Sequence, residues 1–258
     1  AFFIKSDIYF LENLGGGVLK FINGDTTKID NSYTHRNQIL SSIFIHQGKI
    51  YRFGGYGFFD ARNFFTTYDF NSNEWELLEI NGNQQPIGLF DGKYFVKNDN
   101  FYYLGGMTVD QKNRKKFIPN KEIWSFSLID FTWKKIGEFS GFDELLWSSS
   151  DFVFEETFYF SIQNKLFGFN IIENKINEYE PLPYSDKLFP QSPIYFYRDS
   201  IHYFTHSIHN DKKVNIMSLN TSAVIIKNES NNLIETKEYR SIFYASILSL
   251  FFIVFLVY

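Results

Sequence analysis

The sequence contains no cysteine, and this absence excludes several classes of protein. Without cysteine the chain forms no disulfide, has no thiolate nucleophile and offers no cysteine-ligated metal site. It also lacks an excess of positive charge, because 25 Lys and Arg stand against 29 Asp and Glu for a net charge of −4. Binding to the phosphate backbone of a nucleic acid is therefore not expected.

Aromatic residues are abundant instead, with 32 Phe and 17 Tyr among 258 residues. Such side chains favour half-buried β-strands over helices. They occur in short runs separated by polar turns rich in Asn, Asp and Gly, which adopt tight turns at low cost. Composition and spacing together predict an all-β fold.

A hairpin of two aromatic-rich strands recurs five times along the chain. Its first strands are centred on Phe2, Phe44, Phe95, Val153 and Tyr195, which gives steps of 42, 51, 58 and 42 residues. These steps are close to the roughly 40 to 50 residues of a propeller blade. A third strand, and usually a fourth, follows each hairpin. We therefore expect five four-stranded units, forming a propeller over residues 1–228.

Two of these units share a more specific pattern of glycine and aromatic residues. The second strand ends in a glycine pair, Gly54-Gly55 in one unit and Gly105-Gly106 in the next. Aromatic residues follow in the third and fourth strands, namely Tyr68 with Trp75, and Trp124 or Phe126 with Trp133. In this pattern the chain resembles the kelch-repeat β-propellers of the galactose oxidase and kelch-like superfamily.

The resemblance implies that these glycines and aromatics are structural residues. Paired glycines allow a sharp turn, and Tyr and Trp fill the wedge between adjacent sheets. The match is strong over residues 43–140 and weaker elsewhere. Kelch propellers commonly close with six or seven blades, so the five units indicate either a truncated ring or a complete ring of five.

The C-terminal residues 242–258 carry no charged side chain and are mostly apolar. As a helix, such a run spans roughly 25 Å, slightly less than the hydrocarbon core of about 30 Å. We predict a transmembrane helix at 241–258 that contacts the lipid bilayer, preceded by a juxtamembrane linker at 229–240. The protein would be single-pass, with its propeller outside the cytoplasm.

Two loops between the second and third strands of neighbouring units form the candidate binding surface. The earlier loop presents an aromatic pair with an acidic and a basic residue, Phe58, Phe59, Asp60 and Arg62. The later loop is basic, with Lys112, Arg114, Lys115 and Lys116. Equivalent loops lie on one face of a propeller, where loops carry function. The basic loop is either solvated or in contact with an acidic partner or lipid headgroups.

No group of residues in the sequence predicts catalysis or a metal site, and no cofactor is expected. Asp143-Glu144 and Glu155-Glu156 are adjacent carboxylates, whose side chains point apart on a strand or turn. In an extended strand His202 and His206 stand about 13 Å apart, which is too far for one zinc ion.

These observations predict a membrane-tethered recognition module that binds a protein or a glycan through its loop face. Such a module suits the sensor ectodomain of a longer signalling protein. Two alternatives stay open. One is a membrane-bound carbohydrate-active enzyme of mutarotase or lyase type, since some kelch-like propellers are enzymes, and the other is a cytosolic tail-anchored scaffold.

Overall fold

The structure is a computed structural model that describes residues 2–12, 16–32, 38–143, 151–162, 165–179, 195–197, 200–206, 214–220 and 226–228. In these residues the regular structure is β, apart from one short 3-10 helix at Ser140–Asp143. The predicted all-β class is confirmed for them. They include no helix with the length and apolarity that a membrane crossing requires. The predicted linker at 229–240 and helix at 241–258 lie outside the described residues.

Four antiparallel sheets, here called blades, follow one another along the chain. Blade 1 consists of β1 (Phe2–Ile4), β2 (Asp7–Leu11), β3 (Val18–Ile22) and β4 (Asp25–Lys28). Blade 2 consists of β5 (Ser42–His46), β6 (Lys49–Phe53), β9 (Phe65–Asp69) and β10 (Glu74–Leu77), with the short hairpin β7 (Tyr56–Gly57) and β8 (Asp60–Ala61) between β6 and β9.

The next two blades continue this order. Blade 3 consists of β11 (Lys93–Lys97), β12 (Asn100–Leu104), β15 (Glu122–Ser127) and β16 (Trp133–Glu138), with the hairpin β13 (Met107–Val109) and β14 (Phe117–Pro119) between β12 and β15. Blade 4 contains β17 (Asp151–Phe154), β18 (Thr157–Ile162), β19 (Lys165–Asn170) and β20 (Lys175–Tyr179). In each blade these four strands pair in chain order.

The four blades have a propeller arrangement, and the first strands of blades 2, 3 and 4 are neighbours. Strand β11 lies against β5, and the Tyr94 hydroxyl donates a hydrogen bond of 2.9 Å to the Ile43 carbonyl. Strand β11 is joined to β17 by an ion pair between Lys93 and Asp151. The first strands therefore lie innermost, and the later strands of each blade lie further out.

The fifth unit departs from the predicted four-stranded pattern in the described residues. The fifth hairpin does form, but in the residues that the structure describes its sheet has three strands, β21 (Tyr195–Tyr197), β22 (Ser200–His206) and β23 (Val214–Asn220). The next strand, β24 (Ile226–Asn228), pairs with β20 of blade 4 instead. The strand that the repeat leads one to expect at the outer edge of the fifth sheet thus extends the preceding blade.

Aromatic side chains pack between the blades. Between blades 2 and 3, the ring of Phe53 lies 4.7 Å from Phe65, 5.6 Å from Phe101 and 4.8 Å from Trp133, measured between ring centroids. Fully burying one such side chain contributes about 1.5–3 kcal/mol. Similar clusters join blades 1 and 2 and blades 3 and 4. The aromatic composition is therefore explained by the wedges between adjacent sheets.

The predicted structural aromatics occupy equivalent positions in blades 2 and 3. Trp75 lies opposite Tyr68 in the strand pairing, with ring centroids 5.3 Å apart. Trp133 lies opposite Phe126, whereas Trp124 lies opposite Lys135. Of the two residues left open by the sequence, Phe126 therefore holds the position equivalent to Tyr68.

Both glycine pairs have left-handed backbone conformations, with φ of 66° and 101° at Gly54 and Gly55 and 65° and 80° at Gly105 and Gly106. A Cβ on Gly54 would lie 2.3 Å from the Leu89 carbonyl oxygen, in the connection that leads to blade 3. The first pair is thus required for the turn and for the close approach of two chain segments.

Candidate functional site

The two candidate loops rise from the same end of their blades. Each follows a glycine pair at the end of a second strand, where that strand pairs with the beginning of the first strand. In blade 2 the pairing joins Phe53 to Ser42, and in blade 3 it joins Leu104 to Lys93. Both loops fold into short hairpins, β7–β8 and β13–β14. We call residues 56–62 and 107–119 the hairpin face.

Each hairpin is fixed at its base to the segment that enters its own blade. Tyr56 exchanges two backbone hydrogen bonds with Ile39, of 2.7 and 3.0 Å. Met107 exchanges two with Phe90, of 2.8 and 3.0 Å. The same anchoring thus recurs in both blades, and it sets the direction in which the hairpins project.

Three aromatic rings fasten the hairpins to each other. The ring of Tyr56 lies 5.3 Å from Phe117 and 5.4 Å from Phe90, and the ring of Phe90 lies 5.1 Å from Phe117. Strand β8 also contacts β13. The structure therefore brings the two loops that the sequence singled out into one continuous surface.

The turn of the first hairpin consists of two exposed phenylalanines. Phe58 is 76% exposed and Phe59 is 68% exposed. Their φ values are 49° and 60°, so this two-residue loop is a type I′ turn, which favours Asn and Gly because both positions need positive φ. Three other two-residue turns of the described chain also have positive φ at both positions, and each carries Asn or Gly, namely Asn23-Gly24, Gln47-Gly48 and Asn98-Asp99. The turns Lys5-Ser6 and Glu155-Glu156 have positive φ at the first position only and carry neither residue.

The two charged residues of this hairpin contact its backbone. The Arg62 guanidinium donates a hydrogen bond of 2.9 Å to the Gly57 carbonyl, across the base of the turn. One oxygen of the Asp60 carboxylate accepts a bond of 3.0 Å from the Ala61 amide. Arg62 is half-buried, so it braces the hairpin more than it faces solvent.

The connection of the second hairpin carries the basic residues. Lys112, Arg114, Lys115 and Lys116 are all exposed. Asp110 shapes the start of the loop, since its carboxylate accepts a hydrogen bond of 2.8 Å from the Lys112 amide. The carboxylate is thus used within the loop, and the four basic side chains project from it into solvent.

Three polar residues at the inner rim of the same end could not be identified as a group from the sequence. The first residues of three successive innermost strands are Ser42, Lys93 and Asp151. The Lys93 ammonium, which is buried, lies 2.8 and 3.0 Å from the two oxygens of the Asp151 carboxylate. Because 58 residues separate the partners, no local motif connects them.

Burial shifts the acid strengths of the carboxyl groups at this rim. Burial raises the pKa of Asp151, and the charge and hydrogen bond of Lys93 partly offset the rise. Burial also raises the pKa of Asp91, again against the charge of Lys93. Asp91 has a φ of 55°, and its amide donates a hydrogen bond to the Leu40 carbonyl, which ties blade 3 to the entry of blade 2.

Comparison with solved structures supports this arrangement of sheets. The chain is similar to the structure of YjhT, with a TM-score of 0.59 over 76% of this chain and 68% of that one. The fold is a β-propeller. Sequence identity with YjhT is 16%, so the likeness extends to the fold alone. No model of a known family and no curated protein matches the chain.

On this propeller, the hairpin face combines exposed apolar rings with positive charge. Such a surface suits non-covalent binding through apolar burial and charge attraction. In the part of the chain that the structure describes, no group of three or more His, Asp or Glu side chains is placed to hold a metal ion.

Proposed function

We propose that this chain is a recognition module that binds its partner through the hairpin face, without catalysis. The observation that carries the proposal is the Phe58-Phe59 turn. Two bulky apolar residues occupy positions that favour Asn and Gly, and both side chains are exposed to solvent. A left-handed conformation costs about 1–2 kcal/mol per ordinary residue, so folding alone does not favour this choice.

Strained backbone positions are concentrated at functional sites, where the surrounding structure holds them in place. Here the Arg62 bond to Gly57 and the Tyr56 contact with Phe117 supply that support. The rest of the propeller acts as a rigid platform, because its aromatic residues are used for packing between blades. These features favour binding at the exposed turns.

The proposal includes the kelch-like character of the blades and a membrane tether. Gly54, Gly55, Tyr68 and Trp75 support the first, and the uncharged run at 242–258 supports the second. In this proposal the propeller is extracytoplasmic and its ligand is a protein or a glycan. Protease cleavage of a site placed in the basic loop, compared in intact and permeabilised cells, tests the orientation and separates it from a cytosolic scaffold.

Site-specific photo-crosslinking tests the binding surface for a ligand of any chemical class. A photoreactive residue is placed at Gln111, which is exposed on the hairpin face. The matched control carries it at Asn71, an exposed residue in the β9–β10 turn at the opposite end of blade 2. We expect a discrete crosslinked product from position 111 and none from 71. Products from 71 alone would show that the opposite end is the binding surface.

A further inference from the structure

The aromatic turn and the basic loop of the hairpin face lie on adjoining hairpins, although they are about 50 residues apart in the sequence. We infer that this face docks on the surface of an anionic lipid bilayer. The inference rests on the proposed function, since it takes the hairpin face as the binding surface, and it names the ligand class. A protein or a glycan as the ligand is the competing outcome.

The shape of the turn favours a bilayer over a pocket-forming ligand. Binding sites for small molecules are concave, whereas Phe58 and Phe59 form the convex end of a hairpin. Aromatic rings are favoured at the boundary between headgroups and acyl chains, which accepts them without a complementary cavity. Two adjacent rings at a projecting turn can therefore enter this boundary together.

The charges of the face complement an anionic surface. Four exposed basic residues, Lys112, Arg114, Lys115 and Lys116, stand against two half-buried acidic ones, Asp60 and Asp110, while the half-buried Arg62 is bonded to its own hairpin. Both acidic side chains accept hydrogen bonds from amides of their own hairpins. The exposed charge is therefore mostly positive, and basic residues near an anionic membrane are attracted to it over about one Debye length.

The hairpins are also held in place before docking. The exchanged backbone bonds at Tyr56 and Met107 fix their bases, and the contact of Tyr56 with Phe117 fixes them to each other. A surface that is already ordered loses little conformational entropy when it binds. The free energy gained by shallow insertion of two rings is therefore not offset by an entropy loss from ordering the loops.

The absence of cysteine makes a direct test available, because one introduced cysteine can be labelled uniquely. The full chain with Phe59→Cys carries the fluorophore NBD, whose emission shifts to the blue in apolar surroundings. It is combined with nanodiscs of phosphatidylcholine alone or with phosphatidylserine added. The matched control is Ser72→Cys, an exposed site in the β9–β10 turn at the opposite end.

We expect a blue shift and quenching by spin-labelled lipid at position 59 only in discs that contain phosphatidylserine. Both signals should fall as salt rises, and position 72 should show neither. In the labelled chain, replacing Lys112 and Lys115 by Gln should weaken docking on the order of thirtyfold. Equal signals in neutral and anionic discs, or no signal in either, would overturn the inference.

The two proposals fail in different ways. If position 59 stays in water while Gln111 still gives a discrete protein or glycan product, the bilayer inference is wrong and the binding surface stands. If position 59 stays in water and position 111 gives no product either, both proposals are wrong. A lipid adduct from position 111 together with the blue shift supports the hairpin face as the binding surface and the bilayer as its ligand, and it would overturn a protein or a glycan as the ligand.

Discussion

Lys93 and Asp151 form an ion pair between the innermost strands of blades 3 and 4, with 2.8 Å between the ammonium nitrogen and the nearer carboxylate oxygen. The Lys93 side chain is 6% exposed and that of Asp151 is 24% exposed. The pair therefore fastens two blades at the rim where the hairpins rise. Removing one partner should therefore change the free energy of unfolding in a pH-dependent way.

We predict that Lys93→Met destabilises the protein by about 1–3 kcal/mol near neutral pH, because the Asp151 carboxylate loses its cation. The pKa of Asp151 is already raised by burial, and removing Lys93 raises it further. A carboxyl with a raised folded-state pKa lowers stability as pH rises through that pKa, so the defect should shrink as the pH falls below neutral towards that pKa.

Urea unfolding at several pH values measures this effect. The double variant Lys93→Met/Asp151→Leu is the control, since it removes Asp151 as a titrating group; pH dependence that remains in it belongs to Asp91, whose pKa is also lowered by the charge of Lys93. A defect of Lys93→Met that stays constant across this pH range would contradict the assignment of the loss to Asp151.

The second prediction concerns the aromatic turn. Phe58→Asn/Phe59→Gly supplies the residues that a type I′ turn favours, so we expect a gain of about 1–2 kcal/mol in stability. For a chain of this size the melting temperature should rise by roughly 2–8 °C. The same variant should lose binding at the hairpin face. A lower melting temperature would show that the turn is not strained.

The converse substitution serves as a control in another turn. Asn98 has a φ of 49° in a two-residue turn of the same kind. Asn98→Phe should therefore lower the melting temperature. The two changes together separate backbone strain from the general effect of adding or removing an aromatic ring.

The third prediction compares two glycines that both have positive φ. Gly54 has a φ of 66° and an added Cβ would meet the Leu89 carbonyl oxygen, whereas Gly24 has a φ of 94° and open space around it. We expect Gly24→Ala to cost about 1 kcal/mol, from backbone conformation alone. Gly54→Ala should cost about 2–4 kcal/mol, because a backbone segment must also move. Equal losses in thermal unfolding would argue against the close approach.

The fourth prediction tests the fastening of the two hairpins. Tyr56→Ala and Phe117→Ala each remove one ring of the contact, in which the centroids are 5.3 Å apart at 78°. A double-mutant cycle should give a coupling energy of about 0.5–1.5 kcal/mol. Additive losses in urea unfolding would indicate that the hairpins pack independently.

The all-β class and the recurring hairpins were predictable because each depends on residues close together in the sequence. Aromatic runs separated by Asn-rich and Gly-rich turns mark the first two strands of the units. The glycine pairs mark the ends of two second strands, where the structure shows left-handed backbone. Local patterns of this kind predict hairpins well, since the turn fixes the register of the strands that it joins.

Features that depend on the register of paired strands or on contacts between blades were not predictable. The choice between Trp124 and Phe126 required the register against Trp133, which contains an irregularity near Ile123. The ion pair of Lys93 with Asp151 depends on the placement of two blades side by side. The strain at Phe58 and Phe59 was missed as well, although the two-residue spacing of their hairpin could have revealed it.

The fifth unit is another case in which non-local strand pairing was not predictable from the sequence. Its hairpin was predicted correctly, but the repeat alone implied that the next strand would complete the same sheet. In the structure β24 pairs with β20, through Glu178 opposite Asn228 and Tyr179 opposite Ile226. Which of two sheet edges a strand joins is decided by the tertiary packing of both sheets, and the periodicity of the repeat carries no information on it.

This return of β24 to blade 4 has a mechanical consequence. A pulling force applied beyond residue 228 reaches the hydrogen bonds between β24 and β20 before it reaches the three-stranded sheet β21–β23. Because blade 4 is packed against blade 3 by buried aromatic rings, the load passes into the body of the propeller. The sheet between them lies in a loop of chain that is shielded from tension until that strand pairing breaks.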